Sequence, residues 1–346
     1  MPESLDCGKF ARTSPQLGVL TAIPVFRSLS LLRHAHRSIY LYSPCMTPIS
    51  FEKRSDMTNH PDDWSLVRIA LDWFSQPLLL FVEGKPRQPD FHTDPDAWSR
   101  WLRIPPKAHH LIYWEDGRER VLTFEHSQGL LTAHIQRFED GWLLGECRSG
   151  LTRLYDHQGR LHSELNLGDA SEDIQTTPDG QIWVSYFDEG IFGNGIGAQG
   201  VVCFDGKAAP IFQYATFAEQ NGLPSIDDCY SMNVASGGDV WLNYYSDFPL
   251  IRVRNFVLDR VWKSFGALGS AFAVGGNRVL YFQGAQLLAV NLESFSQPEK
   301  LAVLDADGRT LVPLTNSGLG VAARFSKLLI NTGAGLYESA NEPVLP

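Results

Sequence analysis

An all-β fold of repeated four-stranded antiparallel units is what this sequence predicts, on three observations. Glu172 to Gly190, EDIQTTPDGQIWVSYFDEG, reads as strand, tight turn and longer strand, with Pro178 fixing φ and Gly180 able to take φ > 0 between Asp173–Thr177 and Gln181–Phe187. Imperfect copies of that hairpin recur in register: placing Asp140-Gly141 on Asp179-Gly180 puts Ile135 on Ile174 and Gln136 on Gln175, and the next unit offers Met232 and Asn233. Six such units follow about residue 62, at the roughly 40–50 residues per blade of a β-propeller. The expectation is a six-bladed antiparallel β-propeller over residues 61–346, with seven blades as the alternative count. A variable, poorly ordered extension over residues 1–60 precedes it.

In chain order, Ser65–Trp73 and Pro77–Glu83 are β-branched and aromatic runs joined at Ser75-Gln76. Gly84–Asp96 carries Pro86, Pro89 and Pro95 and reads as a long loop, with Trp98–Ile104 a short helix or edge strand. His110–Glu115 and Glu119–Glu125 flank Asp116-Gly117 and complete the first unit. Thr132–Phe138, Trp142–Cys147, Leu151–Tyr155 and Leu161–Leu165 form the second. The third continues from Trp183 through Val201–Phe204 and Pro210–Tyr214, and Ala215–Asp228 is an added connection. Two further units have strands near Met232, Trp241, Ile251 and Trp262, then Phe272, Leu280, Leu288 and Val303. The last shows only three, near Val321, Leu329 and Leu336. A missing fourth strand predicts closure of the ring by a strand from residues 15–60, with Gly18–Ser28 and Ser38–Tyr42 as candidates, since an open ring exposes two sheet edges.

Asp179-Gly180-Gln181-Ile182-Trp183-Val184 resembles the broad propeller class that includes sensor-type propellers of bacterial regulators, NHL-type repeats and the regucalcin and gluconolactonase group. The resemblance identifies a blade and no specific family. The gluconolactonase side of it implies oxygen ligands from several blades holding a divalent cation for lactone hydrolysis.

Composition removes other classes. The net charge of −10 and the lack of any basic run exclude nucleic acid and anionic membrane as main partners. Five scattered cysteines without a CxxC spacing form neither a disulfide framework nor a zinc knuckle. No Asn-x-Ser/Thr acceptor is present, and Leu17–Phe26 is too short to span a bilayer. A cytoplasmic location is expected, with export as the alternative. His34 and His36 lack Cys or carboxylate company for a metal. Gly195–Gly200 satisfies GxGxxG, but a strand, Val201–Phe204, follows where a dinucleotide site needs a helix.

The carboxylates near strand starts remain. Asp62-Asp63, Glu172-Asp173 and Asp227-Asp228 stand at or before first strands, whose starts converge on the channel of a propeller. Solvated loop acids are the ordinary reading of such residues, and Asp227-Asp228 falls three positions out of register with Glu172-Asp173. Two functions follow. The first is a binding or sensing module for a protein or small molecule, without a cofactor, using Glu172, Tyr186, Asp188, Glu189 and Tyr244 at a channel mouth. The alternative is a hydrolase of the lactonase type with Asp173 and Asp228 as ligands of Ca²⁺ or another divalent cation, and His134 as a base. No nucleophile elbow, P-loop, HExxH or EF-hand loop supports an enzyme.

Overall fold

A computed structural model describes residues 47–57, 60, 63–84, 108–124, 133–147, 149–235, 238–263, 265–294, 297–315 and 318–340. These belong to one of two compact units, Met46–Pro346. The segments expected at Gly18–Ser28, Ser38–Tyr42 and Trp98–Ile104, together with Asp62, His34 and His36, lie outside the described residues.

The fold is all-β and of the propeller kind, made of four-stranded antiparallel meanders. The first sheet is β2 (Trp64–Leu71), β3 (Pro77–Glu83), β4 (His109–Glu115) and β5 (Arg118–Phe124). The second is β6 (Ala133–Phe138), β7 (Gly141–Glu146), β8 (Leu151–Tyr155) and β9 (Leu161–Asn166). The third is β10 (Ser171–Thr176), β11 (Ile182–Tyr186), β12 (Val201–Phe204) and β13 (Pro210–Gln213). The fourth is β14 (Asp228–Val234), β15 (Asp239–Tyr245), β16 (Leu250–Arg254) and β17 (Val257–Trp262). The remaining strands make one eight-stranded sheet: β18 (Phe272–Gly275), β19 (Arg278–Gln283), β20 (Gln286–Asn291) and β21 (Glu299–Asp305), then β1 (Thr47–Ser55), then β24 (Leu336–Ser339), β23 (Lys327–Asn331) and β22 (Val321–Arg324).

β1 explains that larger sheet. Its first half pairs parallel with β21, Thr47 opposite Leu301 to Phe51 opposite Asp305. Its second half pairs antiparallel with β24, Phe51 opposite Ser339 to Ser55 opposite Leu336. The strand missing from the last unit is thus supplied by Thr47–Ser55, later in the chain than either segment singled out in the sequence.

Alternation along each strand sends side chains to both faces, and in the inner strands both faces are buried because every sheet packs between two others. The core is accordingly a series of apolar layers. Trp142, Leu144 and Ile135 pack against Leu78, Leu80 and Leu111. Leu143 and Phe138 pack against Val184 and Val202. Trp183 and Cys203 meet Met232 and Leu242, Trp241 and Trp262 meet Phe272 and Tyr281, and Phe51 joins Leu280 and Leu301 to Leu328 and Ile330. Leu329 and Leu336 complete the series against Ile69 and Leu79. The first strands touch in a closed cycle, β2 to β6 to β10 to β14 to β18 to β22 and back to β2.

Side-chain amides clasp these first strands together. Gln175 donates to Met232 O (2.9 Å) and accepts from Val234 N (2.8 Å). Asn233, one unit on in the same register, donates to Phe272 O (2.7 Å) and Phe325 O (2.9 Å) and accepts from Phe325 N (2.9 Å). Gln136 reaches back to Leu71 O at 3.5 Å. Each satisfies buried main-chain groups that the ladders of its own sheet leave open.

Two connections depart from plain turns. Asp188–Ile191 and Tyr214–Asn221 are short helices, and Ile196–Gln199 is a 3₁₀ turn leading straight into β12, so the GxGxxG stretch has no helix for a pyrophosphate. A Cβ at Gly197 would stand 3.0 Å from Gly190 O, so that glycine serves close packing. No helix among the described residues is long and apolar enough to cross a membrane.

Candidate functional site

The first strands of the sheets wall a narrow cavity of about 40 Å³, lined by Arg68 and Leu71 of β2, Gln136 of β6, Glu172 and Asp173 of β10, Tyr230 of β14, Ser270 and Ala271 before β18, and Val321 of β22. That volume admits about three or four waters at about 10–15 Å³ each. A ligand of this site therefore rests on its mouth.

At the mouth, carboxylates outnumber cations. Arg68 Nη2 donates to Asp173 Oδ1 at 2.9 Å, and Gln175 Nε2 to Asp173 Oδ2 at 2.8 Å. Glu172 lies beside this pair and within the fields of Asp228 and Glu189. Burial, then the neighbouring acids, push its carboxyl from 4.5 up to about 7 against the opposing pull of Arg68. Glu172 is half-buried, whereas Asp188 and Glu189 stand exposed in the first turn of their short helix.

Beside the acids lies an exposed aromatic group. Tyr230 and Phe248 stack at 5.8 Å, Tyr245 meets Phe248 at 5.6 Å, and Tyr230 and Tyr245 keep 39% and 47% of their surface in solvent. Asp228 pairs with Tyr245 across β14 and β15, which ties the acids to the aromatics. Asp247 and Phe248 have φ of 69° and 45°, a conformation that costs energy and is kept where the surroundings impose it.

Two of the expected ligand residues are buried. Tyr186 and Tyr244 are both 0% exposed. Tyr186 donates to Leu167 O, and Tyr244 shares a 2.5 Å hydrogen bond with Tyr214. Both sit on strands between packed sheets, where their rings join the core. Of the expected metal ligands, Asp173 is engaged by Arg68 and Gln175, and among the described residues no three His, Cys, Asp or Glu side chains converge in a way that could hold a metal ion. Asp63 is exposed in the turn before β2.

His134 is buried beside Asp173. It is 1% exposed, with Nδ1 3.8 Å from Asp173 Oδ1 and Nε2 3.0 Å from Cys147 Sγ and 3.3 Å from Ser171 O. Burial and the Arg68 charge hold its pKa well below 6.5, so it does not take up a proton near neutrality. Arg68 is the residue that sequence reasoning missed. It stands 105 positions before its partner, on a strand whose only local signal was apolar.

The YxzG family model matches residues 201–338 of the chain. No curated protein matches it. Among solved structures, a gluconolactonase from Xanthomonas campestris is similar with a TM-score of 0.42 at 12% identity, covering 83% of this chain and 87% of that one. BamB from Moraxella catarrhalis follows with 0.41, 11%, 87% and 94%, and Sqt1 from Saccharomyces cerevisiae with 0.40, 12%, 86% and 100%. At TM-scores this low the likeness carries no argument about fold or function, and the propeller character rests on the sheets themselves.

Proposed function

We propose that the chain is a six-bladed β-propeller over residues 61–346, closed by β1 from the preceding segment, and that it works as a binding module for cationic ligands. The closed cycle of first strands and the apolar layers between successive sheets support the blade count. The parallel seam between β1 and β21 merges two blades into one sheet without opening the ring.

The binding reading is supported by one observation: Glu172 and Asp173 line the channel mouth, Glu172 lies within the fields of Asp173, Asp228 and Glu189, and Arg68 is the cation that opposes them. An acidic mouth flanked by exposed Tyr230 and Tyr245 and half-buried Phe248 fits a basic side chain, whose charge meets carboxylates while its stem lies on aromatic faces. A basic peptide is the natural ligand class, the chain's net charge of −10 adding attraction at long range. That no three His, Cys, Asp or Glu side chains gather as a metal site among the described residues favours this reading over the lactonase alternative.

Fluorescence anisotropy of a labelled hexalysine peptide at low salt tests the reading. Binding is expected to tighten between pH 6 and pH 8.5 as Glu172 loses its proton, and to weaken in a Glu189→Gln, Asp228→Asn double variant. Equal binding of a hexaglutamate peptide, or indifference to both pH and substitution, would refute it.

A further inference from the structure

We propose that the hairpin end of the first strands holds a second site, a pocket for a small organic carboxylate with an apolar body. A cavity of about 410 Å³ lies there, walled by Trp73, Trp183, Val234, Val240, Phe325 and Arg324. That size falls within the roughly 300–1,000 Å³ of small-molecule sites.

Its floor carries a guanidinium that the fold leaves unfinished. Arg324, the last residue of β22, is 1% exposed, and its Nη2 donates to Thr176 O. Its Nε and Nη1 have no hydrogen-bond partner. The two acids that reach it through their fields, Asp173 and Asp72, are committed elsewhere. Asp72 accepts from Phe74 N (2.9 Å), Gln76 N (2.8 Å) and Arg137 Nε (3.1 Å), and Asp173 holds Arg68 and Gln175. A second donor lines the same cavity: Trp73 Nε1 is buried and also lacks a partner. Buried donors are nearly always satisfied, and two orphans on side chains that line one cavity point to an acceptor between them.

The acceptor's chemistry follows from what surrounds it. The Arg324 fork, with one N–H pair uncommitted, matches the two oxygens of a carboxylate. Burial pushes Arg324 down only to about 10, so it stays charged at neutral pH. Arg324 is the only cation in the lining, and Asp179 at the rim repels a di- or trianion, which disfavours phosphates. The two indoles, two valines and Phe325 call for an apolar body. This site stands apart from the acidic mouth, at the opposite end of β10 and β14.

The test uses benzoate as the probe, with benzamide and inorganic phosphate as controls, read by the thermal midpoint and by tryptophan fluorescence of the full chain. Benzoate is expected to raise the midpoint saturably and to quench fluorescence, and benzamide at equal concentration to do neither. Trp73→Phe keeps the packing, removes one N–H, and is expected to weaken benzoate several-fold. Arg324→Met is expected to weaken it at least tenfold, and should that variant fail to fold, Trp73→Phe decides. No shift with benzoate, equal shifts with benzamide, a shift with phosphate alone, or unchanged benzoate affinity in Trp73→Phe would each overturn the proposal.

Discussion

Replacing Glu172 by Gln is expected to stabilise the protein, and only at high pH. In the folded chain the Glu172 carboxyl titrates at about 7 against 4.5 for an ordinary glutamate. The folded state therefore binds the extra proton more tightly than the unfolded state. Stability is complete below pH 4.5 and declines as pH rises through about 7. At about 1.36 kcal/mol per pH unit, the interval sets an upper bound of about 3.4 kcal/mol for the cost of charging this group. Glu172 is half-buried, and solvent screening reduces the measurable effect to about 1–2 kcal/mol. Glutamine has the shape of the protonated acid and never ionises. Thermal unfolding at pH 8.5 should then show the variant melting about 2–8 °C above the parent, at roughly 2–4 °C per kcal/mol for a domain of this size or somewhat smaller. At pH 4.5 the two curves should coincide. A gain of equal size at both pH values would trace it to packing, and no gain at pH 8.5 would refute the assignment of a destabilised carboxylate. The same substitution should weaken hexalysine binding, because a group held against its own stability at a surface site is the usual exchange of stability for function.

Three further outcomes are expected. Asn233→Ala removes three hydrogen bonds to buried main-chain groups and should cost roughly 2–4 kcal/mol in urea unfolding; a loss below about 0.5 kcal/mol would mean the clasp is dispensable. Gly141→Ala places a Cβ 2.0 Å from Tyr155 O, and a drop of at least about 2 kcal/mol is predicted, with a parent-like midpoint as the contrary result. Titrating chelator-stripped protein with Ca²⁺, Mg²⁺, Mn²⁺ or Zn²⁺ should leave its melting midpoint in place, and a saturable rise abolished by Asp173→Ala would restore the hydrolase reading.

The register of the repeat was legible from its turns. Gln136, Gln175 and Asn233 align on the Asp-Gly turns in the sequence, and the structure gives all three the same work of reaching a neighbouring first strand. The position of Glu172 and Asp173 at the start of β10 was legible for the same reason. The orientation of aromatic residues was not. On β11 all five residues are buried, so alternation carries no inside-outside contrast and an exposed tyrosine cannot be told from a core one. The closing strand was hidden by the opposite effect. Outer strands face solvent, as the exposed positions of β5, β9 and β17 show, and β1 buries only Phe51. A search for an apolar closing segment passes over such a strand. Arg68 was illegible because its role depends on a partner from another sheet.

The seam made by β1 also sets a clock for synthesis. Thr47 donates to Glu299 across 252 positions at 2.6 Å, so the strand leaves the ribosome well before either neighbour exists. At about 5–20 residues per second the wait is roughly 12–50 s. During it β1 has no edge to join, and the sheets between it and β21 must assemble around a vacancy. The nascent chain thus spends that interval with its ring unsealed, and this is the stage at which a chaperone would be needed and at which two neighbouring chains could exchange β1 strands.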